Sequence, residues 1–307
     1  MEFRQIQYFI CLFEEGTVTR AARRLNIVQP ALSMQLAKLE QEVGQQLFER
    51  STQGMQPTAT ARQMYRLFLP IMRDFLHARE EVLCTDGDIS GHVNIGLIAS
   101  LTEGVLSETL AAFSAEHPKV SVTVADGYST TLIDWVAGGQ IDAAIINKPR
   151  RQLELSVTHI ADEDMMLITS AGNPAAPQTQ LALRQIPTLG LRLVLPTRRH
   201  GLRAIMDSFA QHEDVDLTPT VEVDSLVTIV KLVQQTQYAT ILPRIAVHQR
   251  LTEGILQAHA INSPRLIRQV VSIAHPRRPL NPATSIFMGM LARQIKLSSG
   301  IQAEAAA

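Results

Sequence analysis

Cysteine is scarce: Cys11 and Cys84 are the only two in 307 residues. They make no disulfide framework, which sets aside the small secreted scaffolds and suits a reducing cytoplasm. No apolar run approaches the roughly 20 residues of a membrane-spanning helix. The opening MEFRQIQYFICLF has no basic leader before its apolar stretch and no small-residue cleavage site, so no signal peptide is expected. Neither sign of charge dominates, the net being −1. Bulk charge therefore does not announce nucleic acid, and any DNA contact has to come from a local patch. Catalytic motifs are missing: there is no GxSxG elbow, no P-loop and no GxGxxG after a strand. The nine histidines are scattered without zinc-ligand spacing. No catalytic residue, metal site or cofactor is expected.

What is present falls into three textures, and the length suits two or three compact units. Residues 1–57 are short helical patterns with tight breaks. Two of them lie in VTRAARRLNIVQPALSMQLAKLE, residues 18–40, broken at Asn26–Ile27 and restarted at Gln29–Pro30. Pro30 is tolerated in a first helical turn, where its missing N–H would be unpaired anyway. Residues 58–85 form one long pattern whose apolar positions Met64, Phe68, Ile71, Phe75, Ala78 and Val82 alternate steps of four and three. That averages 3.5, the spacing of a helix that pairs with another chain, although Pro70 should kink it or cost a hydrogen bond. Asp86–Gly91 is a turn-rich hinge. Beyond it strand candidates such as HVNIGLIAS, KVSVTVAD, IDAAII, MMLITSAG, RLVLP, YATILP and IRQVVSIAH alternate with helical patterns. Alternation of this kind predicts parallel βαβ units in an α/β fold.

Residues 3–61 resemble the winged helix-turn-helix of LysR-type transcriptional regulators. The match runs through Phe9, Gly16, Thr19, Ala21, Ala22, Leu25, Gln29-Pro30-Ala31-Leu32-Ser33, Leu36, Leu39-Glu40, Gly44, Leu47-Phe48, Arg50 and Pro57-Thr58. Within the family the chain looks closest to the nitrogen assimilation control and Cbl-like branch. The resemblance implies a DNA-binding domain over 1–57, a dimerising linker helix and hinge over 58–87, and an effector-binding domain over 88–307. That last domain would resemble periplasmic binding proteins, with lobe one about 88–161 and 266–307 and lobe two about 162–265. Double-stranded DNA, a small effector and a homodimer are the implied partners, with dimers commonly paired into tetramers; a membrane is not among them, and a cytoplasmic location follows.

Residue chemistry then assigns candidates. Gln29 can bond bidentately to adenine, Pro30 and Met34 can touch thymine methyls, and Ser33 and Gln35 can reach base or phosphate. Gln29 and Ser33 can also serve as helix caps. Thr19, Arg20 and Arg50 suit phosphate contacts, which set register; Arg23 and Arg24 suit a solvated face. Gln53 in the wing, Ala61, and Met34 depart from the residues common in the family, and Gln53 removes one phosphate contact. In the second half, ligands are expected beyond the carboxyl ends of strands and at helix starts. The candidates there are Ser100, Thr102, Ser129, Thr130, Thr197, His200 and Ser225, each hydroxyl also suited to an N-cap worth about 1 kcal/mol. Helix starts together with Arg198, Arg199 and His200 favour an anionic effector such as a carboxylate or sulfonate. The competing expectation is an enzyme of the two-lobed α/β type carrying an appended DNA-binding module.

Overall fold

The computed structural model describes residues 1–51, 54–83, 89–177 and 180–299, with the side chains at 73, 74, 77 and 80–83 set aside. Cys84, Gln53, the Val82 side chain and the first half of the Asp86–Gly91 hinge lie outside the described residues. Two compact units form, one mostly within residues 1–86 and the other within residues 87–307.

The first unit orders α1 (Phe3–Glu15), α2 (Val18–Arg24), α3 (Gln29–Val43), a hairpin of β1 (Phe48–Ser51) and β2 (Gly54–Pro57), and α4 (Ala59–Leu83). Asn26 takes a left-handed conformation, φ 53°, in the turn between α2 and α3. Ala21 and Ala22 are buried, so no bulk separates α2 from its neighbours. Phe9, Leu12, Leu32, Leu39 and Leu47 complete the core, and Ala61 is buried in it. Glu40 ties the hairpin to α3, its Oε1 accepting from the Leu47 and Phe48 amides at 2.7 and 3.3 Å.

The long helix corrects the expected seam. α4 runs through Pro70, but Met64 is buried in the domain's own core and Phe68 packs against it. The outward apolar line is Leu67, Ile71 and Phe75, four residues apart, with Ala78 also exposed.

The second unit begins with β3 (Gly91–Leu97), then α5 (Ala99–Leu101), which passes through a π-helical turn over Thr102–Leu106 into α6 (Ser107–Glu116). β4 (Val120–Asp126), α7 (Ser129–Ala137), β5 (Ala143–Asn147) and the long β6 (Ser156–Ser170) follow. Next come β7 (Leu181–Ala182), β8 (Arg192–Leu195), α8 (Gly201–His212), β9 (Val221–Glu222), α9 (Leu226–Gln235) and β10 (Tyr238–Pro243). The chain closes with α10 (His248–Thr252), β11 (Leu256–Ser263), β12 (Ile267–Ala274) and α11 (Pro282–Ser298).

Strands pair in the order β4-β3-β5-β12-β6-β10-β8-β9, with β11 beside β6 and β7. The sheet is mixed rather than purely parallel. β12 runs antiparallel to β5 and β6, and β6 antiparallel to β10 and β11. β6 serves two lobes: residues 156–164 face β12, and residues 165–170 face β10 and β11. Two separate cores result, one around Ile95, Phe113, Leu132, Phe287 and Leu291, the other around Leu167, Leu195, Met206, Ile229 and Ile241. Ile245 lies inside the stretch expected for lobe two yet packs in the first core. Gly104 allows this, because a Cβ there would stand 2.5 Å from the Ile245 carbonyl oxygen. No described helix is long and apolar enough to cross a membrane.

Candidate functional site

In the first unit Thr19, Gln29, Pro30 and Ser33 border one open hollow. Thr19, Arg20, Gln29, Pro30, Ser33, Met34 and Arg50 are all open to solvent. Gln35 is the correction: it is half-buried and accepts from Gln5 Nε2 at 3.5 Å, turned back toward α1. The Arg20 guanidinium donates to the Glu15 carbonyl at the end of α1, which holds it beside the turn. Arg23 is exposed; Arg24 is paired with Glu14 at 2.7 Å, and that hydrogen bond raises its already high pKa. Neither Gln29 nor Ser33 caps α3, whose N-cap position is Val28 with no side-chain bond.

In the second unit the candidate residues gather where the lobes meet, beside a charge that sequence reasoning missed. Arg268 on β12 is 1% exposed and faces Glu163 on β6 directly across the ladder. Its Nε donates to Glu163 Oε2 at 2.7 Å, and Nη2 stands 2.5 Å from the same oxygen. Nη1 donates to Ser100 Oγ at 2.6 Å and to Asn147 Oδ1 at 3.3 Å. Ser100 is thus held as an acceptor by a buried cation.

The other expected contacts are largely engaged at home. Thr197 gives its amide and hydroxyl to Asp224 Oδ1 at 3.1 and 2.5 Å, and Tyr128 donates to Asp224 Oδ2 at 2.6 Å. These bonds, the Thr197 hydroxyl foremost, hold the Asp224 carboxyl below its ordinary pKa. Ser225 caps α9 through the Thr228 amide, and Thr102 donates to the Ile98 carbonyl. Arg203, 4% exposed, bridges Asp207, Glu222 and the Pro196 carbonyl, which braces the loop before α8. Arg198 and Arg199 on that loop are exposed and line neither of the cavities described below.

His200 is the clearest correction. It is 6% exposed and caps α8, its Nδ1 accepting from the Leu202 amide at 3.1 Å. Burial lowers its pKa, so it is neutral near pH 7 and supplies no cation to an anion. The unfolded chain binds that proton more readily, so stability is full above about pH 6.5 and falls as pH drops through that value. Thermal melts of His200→Asn, which keeps a capping side chain, should lose less stability between pH 7 and 5.5 than the parent. His259, also lowered by burial, leaves a residual slope. A slope equal to the parent's would place the titration elsewhere.

Two cavities flank the contact between the lobes and share Ser129, Asn147 and Gly201. A Cβ on Gly201 would approach Asn147 Nδ2 to 2.9 Å, so a larger residue there would push the Asn147 side chain aside. One cavity, about 530 Å³, is lined by Lys148, Arg150, Arg151 and Arg268, with no carboxylate among its lining residues. The other, about 550 Å³, is lined by Glu103, Asp126 and Asp224 beside Tyr128 and Trp135, with neither lysine nor arginine. Burial raises the Asp126 pKa there. Ser129 Oγ, at the junction, is buried and has no hydrogen-bond partner among the described residues. Of the expected residues, Ser129 and Thr130 line the basic cavity and Ser129, His200 and Ser225 the acidic one. Among the described residues no group of histidine, cysteine and carboxylates could hold a metal ion.

The arrangement matches known proteins along its whole length. Residues 3–62 match the model of the bacterial regulatory helix-turn-helix protein, lysR family, and residues 86–296 match the LysR substrate binding domain. The nitrogen assimilation regulatory protein nac of Escherichia coli (strain K12) is 27% identical over 80% of this chain and 79% of its own. The HTH-type transcriptional regulator CzcR of Bacillus cereus is 27% identical over 85% and 86%. A full-length OxyR variant from Pseudomonas aeruginosa shares the fold, with a TM-score of 0.74 at 22% identity over 97% of this chain and 96% of that one. So does full-length CbnR complexed with its target DNA, with a TM-score of 0.67 at 20% identity over 96% and 100%. Because the substrate-binding-domain match alone spans well over half of the residues, the chain belongs to the LysR family: it is a DNA-binding transcriptional regulator with an effector-binding domain, and not an enzyme.

Proposed function

We propose that this regulator answers to a small anion, a carboxylate or sulfonate, held in the basic cavity between the lobes. The observation that carries the reading is the junction itself: a buried, unpartnered Ser129 Oγ beside a cavity lined by Lys148, Arg150 and Arg151, by the Arg268 that Glu163 already pairs, and by no carboxylate. An anion there gains hydrogen bonds from Ser129 and Thr130 on lobe one and contact with α8 of lobe two, so it binds one lobe arrangement better. Only that difference in affinity can pass a signal to DNA. Residues 1–57 then form the DNA-binding domain, 58–87 a dimerising linker, and 88–307 the effector domain of a cytoplasmic homodimer that pairs into tetramers. Gln29, Pro30, Ser33 and Met34 serve as base contacts, and Thr19, Arg20 and Arg50 as phosphate contacts.

The test is a thermal-shift screen of the full chain against a panel of small carboxylates and sulfonates, with small amines in parallel. Binding stabilises by RT ln(1 + [L]/Kd), so a ligand at 100 times its Kd contributes about 2.7 kcal/mol. Ser129→Ala should weaken the responding acid by roughly 1–3 kcal/mol, and Ser129→Leu should abolish its response by filling the junction. Responses to amines alone, or a Ser129→Leu protein that responds like the parent, would remove the ligand from this cavity.

A further inference from the structure

Val28 stands at the start of α3 with no structural task. It is 69% exposed, more than any other large apolar side chain among the described residues. It occupies the N-cap position with an extended backbone, φ −81° and ψ 143°, and makes no side-chain cap. Serine, threonine, aspartate and asparagine are favoured at such a position and valine is among the least favoured, because it offers no acceptor to the first free amides. The Val28 carbonyl instead accepts from the Ala31 and Leu32 amides at 3.1 and 3.4 Å. The neighbour Ile27 packs against the domain core, whereas Val28 does not. Val28 borders the same open hollow as Thr19, Gln29, Pro30 and Ser33.

We propose that Val28 reads sequence: its side chain packs on the C5-methyl of a thymine in the major groove, beside the base pair met by Gln29. This rests on the reading above that the N-terminal end of α3 enters that groove. The chemistry suits the residue. The thymine methyl is the one apolar group the major groove displays, and only an apolar side chain distinguishes it. A β-branched side chain has few rotamers to lose when it docks. An apolar residue at a cap, exposed to water in the free protein, is explained by an apolar partner in the complex.

The experiment uses full-length protein and a duplex it selects from a random-sequence pool. Each thymine of that duplex is replaced in turn by deoxyuridine, which removes only the methyl. The parent should lose about threefold to tenfold in affinity at one thymine per half-site, the range expected for about one buried methyl group. Val28→Ser should be insensitive at that thymine and parent-like at the others, while Met34→Ala keeps the parent's sensitivity there. Serine supplies the missing cap, so the Val28→Ser protein should also melt higher than the parent. A lower melting temperature would show that Val28 serves the fold and overturn the proposal, as would a Val28→Ser profile equal to the parent's. If Gln29→Ala still relaxes one base preference in that case, the docking of α3 stands and Val28 alone is excluded. If Gln29→Ala weakens selected and random duplexes alike, the docking fails and Val28 with it.

Discussion

Glu163→Ala is expected to cost the effector domain about 3–5 kcal/mol, because it leaves a charge buried without its counterion. Glu163 and Arg268 are 2% and 1% exposed, so water cannot replace the lost carboxylate without opening the strands. The partners that would remain to Arg268, Ser100 Oγ and Asn147 Oδ1, are neutral dipoles. Removing both charges together is a different matter. Glu163→Met with Arg268→Met trades an ion pair for apolar contacts of similar volume, which is often neutral or stabilising. Urea unfolding of the parent, the single variant and the double variant separates the two cases. Equal losses in single and double would mean that the pair itself, not the stranded charge, carries the stability.

Ile71→Asp is expected to abolish the dimer proposed for the linker helix. Leu67, Ile71 and Phe75 are 60%, 53% and 48% exposed along one line of α4, while Met64 and Met72 fill the domain's own core. Burying an aliphatic or aromatic side chain fully contributes about 1.5–3 kcal/mol, and a twofold seam counts each residue twice. An aspartate at its centre replaces one such contact with an unpaired charge facing its own copy. Sedimentation should report a species of half the mass, and footprinting should show that two half-sites are no longer protected together. The salt dependence of DNA binding should flatten, since half as many phosphates are neutralised per binding event. An unchanged sedimentation coefficient would mean that this line of α4 is covered by something other than a second copy.

The first unit was readable because its information is local. Asn26 at a turn, Pro30 in a first helical turn and the small pair Ala21–Ala22 act within a few residues of themselves. The expected seam of α4 mixes two apolar lines that lie side by side on one helix. The string from Met64 through Phe68 starts on the inward line, and by Ile71 it has crossed to the outward one. Mixed strand direction in the sheet was not readable, because direction depends on which distant strands meet. β6 is legible in the sequence only from Met165 onward, since its first half carries exposed polar residues and the acidic run Asp162–Asp164. The Arg268–Glu163 pair did leave a signal. Arg268 shares the buried face of β12 with Val270, and Glu163 lies between the buried Ala161 and Met165, so each charge falls on an inward beat of its strand. The candidate hydroxyls in the cleft could not be sorted by sequence, because a cap and a ligand contact ask for the same side chain at the same place.

Lobe one is assembled from both ends of its domain. β12 fills the slot between β5 and β6, and α11 adds Phe287 and Leu291 to the core around Ile95 and Phe113. During synthesis β3, β4 and β5 emerge long before either of those pieces exists, whereas the segments of lobe two arrive nearly in succession. Lobe two can therefore mature on the ribosome while the first three strands wait with one flank of β5 unpaired. That waiting edge is a template for another chain, and long-range pairing of this kind is slow to form. The strand that carries the buried arginine of the cleft is thus also the one whose late arrival covers the open flank of β5.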